Sequence, residues 1–207
     1  MNTTTATNPH KTSPVGTWTI TAAKTTDETP YFGTVQIHQM GEIYSMSWLT
    51  TLGDYPGIAF FENGNLYAAC SADAAYGVSL YQINSDGTLD GKWATGYCTG
   101  IVETEKAVGG TPNQVAGTYN VQGTFKNTSI YEGVLQVTSL GEIYQVSWLV
   151  GHEYKGVGLQ VNDQLIVAWG EGTVFGLHYQ IEGDRATGNW AMRESTTLGT
   201  ESLYRIC

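Results

Sequence analysis

Hydrophobic and polar residues alternate with a period of two along most of the chain, in short segments. Turn-forming pairs separate these segments, among them Met40-Gly41, Asn63-Gly64 and Asn162-Asp163. Successive side chains of a β-strand point to opposite faces, so the pattern is typical of half-buried strands joined by tight hairpins. No stretch of helical length shows a 3.6-residue period. The chain is therefore predicted to be all-β.

One strand occurs twice, at an offset of 100 residues. Residues 41–49 read GEIYSMSWL, and residues 141–149 read GEIYQVSWL. Weaker matches extend this correspondence over most of the chain, and the offset falls from 101 to 97 along it. Small insertions and deletions in loops produce such a drift. The chain is therefore a tandem duplication, and each copy contains about eight predicted strands, more than one solenoid repeat holds.

Tight hairpins in series form an up-and-down meander, and a meander of about eight strands removes its exposed edges by closing into a barrel. We predict two small barrels packed as a pseudo-two-fold pair, one from residues 15–107 and one from residues 116–207. Residues 108–115, which include Gly109-Gly110, are predicted to be the linker. Residues 1–14 are polar and threonine-rich, and are predicted to be a disordered leader.

The duplicated strand also predicts which face points inward. Its large residues occupy alternate positions in both copies, whereas a polar position between them changes from Ser to Gln, so the large residues are predicted to line the interior. These residues are Tyr44, Met46 and Trp48, with their counterparts Tyr144, Val146 and Trp148. In a later strand, Val78 and Leu80 are followed by Tyr81 and Ile83. This change of parity predicts a β-bulge near Leu80-Tyr81.

Composition narrows the function classes. Nine Lys and Arg against nineteen Asp and Glu give a formal charge of −10. A nucleic-acid groove or an anionic membrane surface requires clustered positive charge, so neither partner is predicted. The chain has no apolar run long enough for a membrane span and no signal peptide. A soluble protein is expected, either cytoplasmic or secreted after loss of a signal peptide.

The cysteines predict neither a disulfide framework nor a zinc site. Cys70, Cys98 and Cys207 leave at least one thiol unpaired, and none forms a C-x-x-C motif. Cys70 occupies the position of Trp169 in the other copy, and we interpret it as a small buried filler.

Known catalytic and metal-binding motifs are missing. No nucleophile elbow, P-loop or dinucleotide-binding motif is present. His152-Glu153 begins like a zinc-protease motif, but Gly156 stands where the second histidine is required. Residues 84–90 resemble the start of a calcium loop but lack its glycine and its closing glutamate, so they are interpreted as a hairpin turn. No metal and no cofactor are predicted.

Three polar residues are candidates for acid–base chemistry. Glu42 and Glu142 each open a strand directly after a turn glycine, where a carboxylate usually faces water or a turn N–H, so both are interpreted as structural. His178 lies on an aromatic-rich strand and is the best single catalytic candidate, although the sequence identifies no Asp or Glu partner for it.

Aromatic residues are the remaining signal. They either fill the barrel interiors or line a hollow cup that takes a ligand. The candidate ligand-binding residues are Tyr44, Trp48, Tyr144, Trp148, Trp169 and Tyr179. A pocket specific to one copy is expected where the copies differ, at the pairs Cys70/Trp169, Ser79/His178 and Asp73/Gly172.

Each copy resembles the calycin-type meander barrels, the avidin and lipocalin group, in its strand order and in the Gly-x-Trp opening at residues 16–18. From Gly117 to Glu201 the chain is also similar to a set of small bacterial β proteins. The shared elements are Gly-Thr-Tyr-x-Val-x-Gly, Gly-Glu-Ile-Tyr-x-Val-Ser-Trp, Tyr-x-Gly-Val-Gly and a closing Gly-Asn-Trp-Ala. Some of those proteins carry a fibronectin-binding label. The resemblance implies a barrel fold and assigns no functional residue.

Three functions follow as hypotheses, the last of which is a surface or interaction protein that uses the barrels as a scaffold, with Tyr55, Phe61 and Tyr154 as candidate contact residues. The first is a non-enzymatic binding protein for a small apolar or aromatic molecule or for a protein surface. The second is a metal-independent barrel enzyme of the cyclase or isomerase type, which folds its substrate inside an apolar cup and needs only one or two polar groups. His178 is the candidate for that role.

Overall fold

The structure is a computed structural model that describes residues 13–73, 75–97, 100–126 and 129–207. Apart from Ser13 and Pro14, the predicted leader lies outside the described residues, as does Cys98. The described residues form sixteen β-strands and no helix, and every predicted strand is present. The strands are β1 (Gly16–Lys24), β2 (Gly33–Met40), β3 (Ile43–Thr50), β4 (Gly53–Glu62), β5 (Asn65–Ser71), β6 (Tyr76–Ile83), β7 (Leu89–Thr95), β8 (Glu103–Val108), β9 (Gly117–Phe125), β10 (Ser129–Leu140), β11 (Ile143–Val150), β12 (His152–Val161), β13 (Gln164–Gly170), β14 (Val174–Glu182), β15 (Arg185–Met192) and β16 (Gly199–Arg205).

The strands close into two antiparallel eight-stranded barrels, as predicted. One barrel, here called the split barrel, has the strand order β1-β16-β15-β14-β5-β4-β3-β2. The other, here called the continuous barrel, has the order β10-β11-β12-β13-β6-β7-β8-β9. Each barrel therefore combines the first five strands of one sequence copy with the last three strands of the other, which makes the pair pseudo-two-fold.

The boundaries of the barrels thus differ from those of the sequence copies, and the predicted barrels 15–107 and 116–207 need correction. Strand β5 pairs with β14 rather than with β6, and β6 pairs with β13. Residues 108–115, predicted as a linker between barrels, connect β8 to β9, two paired strands of the continuous barrel. The physical reason is that β6 and β14 have similar sequences, so either one can complete the same sheet.

Two short connections carry the chain from one barrel to the other, and they lie side by side. The Glu171 N–H donates to the Ala75 carbonyl at 3.1 Å, and the Ser71 hydroxyl donates to the Thr173 carbonyl at 2.9 Å. The Thr173 N–H donates to Asp73 Oδ2 at 3.2 Å. The two crossings therefore hydrogen-bond to each other.

Gly172 is expected to be required at this crossing. Its φ is +66°, and a Cβ there would overlap Asp73 Oδ2, which accepts the bond from Thr173. We expect Gly172→Ala to lower the free energy of unfolding by about 2–3 kcal/mol, of which about 1–2 kcal/mol is the cost of positive φ for a side chain.

Gly183→Ala is the matched control for this prediction, because its φ is +62° and a Cβ there meets nothing within 4 Å. Urea unfolding of both variants separates the two contributions. Equal losses would mean that the contact with Asp73 adds nothing to the crossing.

A third core lies between the barrels. It is built from the outward faces of strands from both, and its buried members are Ile43, Ile58, Phe60, Tyr67, Ala69, Tyr76, Val78, Leu80, Ala94, Ile143, Val157, Leu159, Ile166, Ala168, Val174 and Ala191. Strands β5, β6 and β13 are consequently buried on both faces, which makes them apolar at consecutive positions.

The predicted β-bulge near Leu80-Tyr81 is absent, and the core between the barrels explains why the sequence suggested it. Strand β6 pairs with β7 and β13 without any shift of register. Val78 and Leu80 face the core between the barrels, whereas Tyr81 faces the interior of the continuous barrel. The change of parity in the sequence reflects burial on both faces, and the register aligns Leu80, rather than Ser79, with His178.

The prediction of inward faces is confirmed. Met46 and Trp48 are 3% exposed and lie in the core of the split barrel, and Val146 and Trp148 hold the equivalent places in the continuous barrel. Cys70 is buried in the split-barrel core and has a free thiol, in agreement with its interpretation as a filler.

Candidate functional site

A cavity of 410 Å³ opens at the end of the split barrel where the β1–β2 and β3–β4 connections lie. Its volume falls within the range of about 300–1,000 Å³ that is usual for ligand sites. The lining residues are Thr25, Thr26, Asp27, Tyr31, Trp48, Thr50, Leu52, Tyr55, Cys70, Phe175, Leu177, Trp190, Met192 and Glu201. The wall is therefore mainly aromatic and aliphatic, with one buried carboxyl group.

Glu201 belongs to the barrel interior because of its place on β16. Gly199, Glu201 and Leu203 are the buried, alternating positions of that strand, and Glu201 is only 2% exposed. Opposite Glu201 on β15 stands Gly188. A carboxyl group at this depth is costly unless it is hydrogen-bonded, so its partners determine its properties.

Two tyrosines donate hydrogen bonds to the same carboxylate oxygen of Glu201. The hydroxyls of Tyr31 and Tyr179 each lie 3.0 Å from Glu201 Oε2. Two indoles in turn orient the tyrosines, since Trp190 Nε1 donates to the Tyr31 hydroxyl at 3.0 Å and Trp48 Nε1 donates to the Tyr179 hydroxyl at 3.2 Å. This aromatic frame fixes the carboxyl group in one position.

The second carboxylate oxygen, Glu201 Oε1, is buried and accepts no hydrogen bond from the described residues. Burial raises the pKa of Glu201 to about 7, and the polar contacts from Tyr179, Tyr31 and Trp48 only partly oppose this rise. Both protonation states are therefore populated near neutral pH. The group can accept a hydrogen bond, or it can donate one when protonated.

The continuous barrel contains a similar frame around Glu105. Tyr81 and Tyr131 donate to its two carboxylate oxygens at 2.5 and 2.7 Å, and Trp148 Nε1 donates to Oε1 at 3.1 Å. Strand register makes Glu105 the counterpart of Glu201, because each faces the corresponding glycine, Gly91 or Gly188. Both oxygens of Glu105 accept hydrogen bonds, whereas only one oxygen of Glu201 does.

The residues around the two carboxyl groups also differ. In the continuous barrel, Trp169 packs against Gly77 and donates to the Ser79 hydroxyl at 3.0 Å. Its ring also contacts Trp93 and Tyr154 edge to face. At the equivalent places the split barrel has Cys70, Phe175 and Leu177, all of which line the cavity. The predicted contrast at Cys70/Trp169 thus falls on the wall of the cavity.

The predicted ligand-binding residues are divided between the barrels. Trp48 and Tyr179 belong to the Glu201 frame. Tyr44 packs against the same core but does not line the 410 Å³ cavity. Trp148 and Trp169 lie in the continuous barrel. Tyr144 lines a different cavity, of 520 Å³, and donates to Gln160 Oε1 at 2.9 Å.

The structure places His178 outside both barrel interiors. It alternates with the inward-facing Leu177 and Tyr179, its Nε2 lies 2.9 Å from Asn65 Oδ1, and its ring is 5.5 Å from that of Tyr67. Burial lowers the pKa of His178 to about 4. It does not line the 410 Å³ cavity, so the cup and the histidine predicted to serve it are separate.

Sequence reasoning weighed Glu42 and Glu142 and missed Glu201 and Glu105. Glu42 and Glu142 are exposed, and Glu142 Oε2 accepts the Leu198 N–H at 3.2 Å. The alternation of residues along the strands could have identified the two missed residues, because Glu201 lies on the same strand face as the apolar Leu203, and Glu105 on the same face as Ala107. A carboxylate in register with inward apolar residues in both copies marks an interior position.

Among the described residues, no group of three or more His, Cys, Asp or Glu is arranged to hold a metal ion. The same residues include no helix long and apolar enough to cross a bilayer. Comparison of the chain with protein-family models, with curated proteins and with solved structures finds no match.

Proposed function

We propose that the split barrel binds a small, largely apolar molecule in its 410 Å³ cavity. The observation that carries this proposal is Glu201 Oε1, a buried acceptor without a partner among the described residues, in a cavity lined by aromatic side chains. Buried polar atoms almost always have a hydrogen-bond partner. A polar group of a bound molecule would provide it, while the aromatic wall holds the apolar part.

The cavity also favours one branch of the binding hypothesis. The sequence analysis left two kinds of ligand open, a small molecule and a protein surface. A concave cavity with a buried polar group suits a small molecule better than a protein surface. The calycin-type resemblance is consistent with this choice, because lipocalin and avidin barrels take small ligands inside. Fibronectin binding, which the other resemblance suggests, has no observation in the split barrel that supports it.

The proposal can be tested with the uncharged fluorescent probe N-phenyl-1-naphthylamine. Cys70→Trp adds an indole to the cavity wall, whereas Cys70→Ala at the same position leaves the cavity open. We expect saturable binding to the wild type and to Cys70→Ala, and at least tenfold weaker binding to Cys70→Trp.

A second blocking variant, Thr26→Trp, places bulk at the mouth of the cavity rather than against Phe175. It keeps the test decisive if Cys70→Trp fails to fold, which circular dichroism would reveal. Undiminished probe binding in a folded blocking variant would locate the probe elsewhere. Absence of binding to the wild type would contradict the proposal.

The enzyme alternative is favoured by the position of Glu201, a buried carboxyl group that lines an apolar cavity. A carboxyl group with a pKa of about 7 in an apolar cup is suited to proton transfer at neutral pH. In this alternative Glu201 takes the role first assigned to His178. A ligand that displaces the probe would then be converted during incubation with the wild type but not with Glu201→Gln, as chromatography and NMR would show. Recovery of the ligand unchanged from the wild type favours binding alone.

A further inference from the structure

We infer that the ligand of the split-barrel cavity is an organic amine, whose ammonium group pairs with Glu201 while its apolar part packs against the aromatic wall. This inference rests on the proposed binding function and specifies the chemical class of the ligand. It follows from three features of the site: the unpaired carboxylate oxygen, the charges around it and the rings that line the cavity.

The hydrogen bonds of the frame leave one oxygen for a donor. Tyr31 and Tyr179 both donate to Oε2, and the Trp48 N–H donates to the Tyr179 hydroxyl. The Trp48 indole is close enough to the carboxylate to lower the pKa of Glu201, but it makes no hydrogen bond to Oε1. An ionised carboxylate only accepts hydrogen bonds, so its free oxygen selects a ligand that donates one. In the continuous barrel, by contrast, Tyr81 and Trp148 donate to one oxygen of Glu105 and Tyr131 donates to the other, so neither oxygen lacks a hydrogen bond.

The charges at the cavity favour a cation. Its lining includes two carboxylates, Glu201 at depth and Asp27 at the exposed mouth, and no Lys, Arg or His. The whole chain carries a formal charge of −10. A buried carboxylate is stabilised when an opposite charge pairs with it, and here a ligand would have to bring that charge. An anionic ligand would meet repulsion from both carboxylates.

The rings of the wall form a suitable environment for an ammonium group. Phe175 contacts Tyr55 edge to face at 5.3 Å between ring centroids and contacts Trp190 in the same way at 5.6 Å. Trp48 and Tyr31 complete the aromatic lining. The faces of aromatic rings attract cations, most strongly where water is excluded. Carboxylate and aromatic wall thus select the same ligand charge.

The ionisation of Glu201 gives this inference a pH signature. The titratable groups around it are Tyr31 from the β1–β2 connection, Tyr179 from β14 and Cys70 from β5, and Tyr55 from β4 and Asp27 also line the cavity. Burial raises the pKa values of the three tyrosines and of Cys70, so these groups stay protonated between pH 5.5 and 8, while Asp27 stays ionised because hydrogen bonds lower its pKa. Only Glu201 changes charge. With a pKa of about 7, amine affinity should rise about 30-fold from pH 5.5 to pH 8.

The experiment uses three probes of nearly equal shape: 1-naphthylmethylamine, 1-naphthalenemethanol and 1-naphthoic acid. Isothermal titration calorimetry at pH 8 should show the amine binding at least tenfold more tightly than the alcohol, and the acid binding most weakly. Glu201→Gln should remove the preference for the amine. Glu105→Gln, the matched change in the continuous barrel, should retain it.

The possible failures are distinguishable. If the alcohol binds as tightly as the amine, or if amine affinity is independent of pH, the amine inference is overturned while the proposed binding function stands. If none of the three probes binds and N-phenyl-1-naphthylamine also fails to bind, the binding function fails as well. The pH series uses only the wild type, so a folding defect in Glu201→Gln does not prevent a decision.

Discussion

Glu201→Gln is expected to become about 3 kcal/mol more stable relative to the wild type as the pH rises from 4.5 to 7. In the wild type, burial raises the pKa of Glu201 from 4.5 to about 7. Between these values the native state keeps a proton that the unfolded state has lost, so the free energy of unfolding falls as pH rises. A difference of about 2.5 pKa units corresponds to about 3 kcal/mol. Gln has a similar shape and does not titrate, so this loss disappears in the variant.

His178 produces the opposite dependence over almost the same range. Burial lowers its pKa from 6.5 to about 4, so between these values the unfolded state binds a proton that the native state does not. This contribution to the free energy of unfolding therefore increases as the pH rises from 4 to 6.5 and is lost in acid. The two buried groups compensate each other, and the wild type is expected to show little net pH dependence from these two residues.

Separating the two contributions requires three variants. Urea unfolding, followed by circular dichroism from pH 4 to 8.5, should show stability falling with pH in His178→Leu and rising with pH in Glu201→Gln. Leu is the residue that occupies the equivalent place, Leu80, in the other copy. The double variant should follow neither trend. Parallel curves for the wild type and Glu201→Gln would show that Glu201 is ionised in the native protein at much lower pH than its burial implies.

The sequence was sufficient to predict the strands and their inward faces. Tyr44, Met46 and Trp48 repeat with a period of two in a strand that is buried on one side, and this pattern is compatible with only one choice of buried face. Closure into barrels followed from the hairpins. Burial of a strand on both faces was harder to predict from the sequence. The apolar residues Val78, Leu80 and Tyr81 of β6 do not follow a period of two, because the other barrel covers the outer face of this strand.

The exchange of strands between barrels could not be predicted from the sequence. The residues that pair across these strands are nearly the same in both copies: Leu66 lies opposite Tyr179, and Leu165 lies opposite Tyr81. A β5–β6 pair and a β5–β14 pair would therefore bury similar side chains. The choice depends on the crossing connections, where Asp73 and Gly172 meet, and on the core that the exchange creates between the barrels.

Only part of the candidate site could be predicted from the sequence. Trp48 and Tyr179 were identified because aromatic residues on an inward face stand out, whereas a Gly-Thr-Glu sequence resembles an exposed strand end. Glu201 becomes a candidate only when Tyr31, Tyr179 and their indole partners are seen around it. These residues come from two distant parts of the chain, 31–48 and 179–201, and their convergence depends on the exchanged topology.

The two barrels fill one equivalent part of their interiors with different pairs of side chains, and this difference can be tested by exchanging the pairs. At equivalent registers the split barrel pairs Cys70 with Phe175, and the continuous barrel pairs Trp169 with Gly77. A large residue faces a small one in both, on opposite strands. A side chain at position 77 would overlap the indole of Trp169, so the pair must change together.

We expect Trp169→Cys to lower the free energy of unfolding by about 2–4 kcal/mol, since it leaves a cavity and removes the hydrogen bond to Ser79. Gly77→Phe alone should cost more, because the ring would have no space beside Trp169. The double variant reproduces the pair of the split barrel and should recover about 2–3 kcal/mol relative to the sum of the single losses.

Recovery should remain incomplete for a structural reason. A Cβ at position 77 also lies 2.7 Å from the Ala94 carbonyl oxygen, which belongs to the neighbouring strand and cannot move as freely as a side chain. A cycle of four urea unfolding curves measures the coupling. Additive losses would show that the two barrels are not interchangeable at this register. The different residues around Glu201 and Glu105 would then reflect two different backbones rather than one frame filled in two ways.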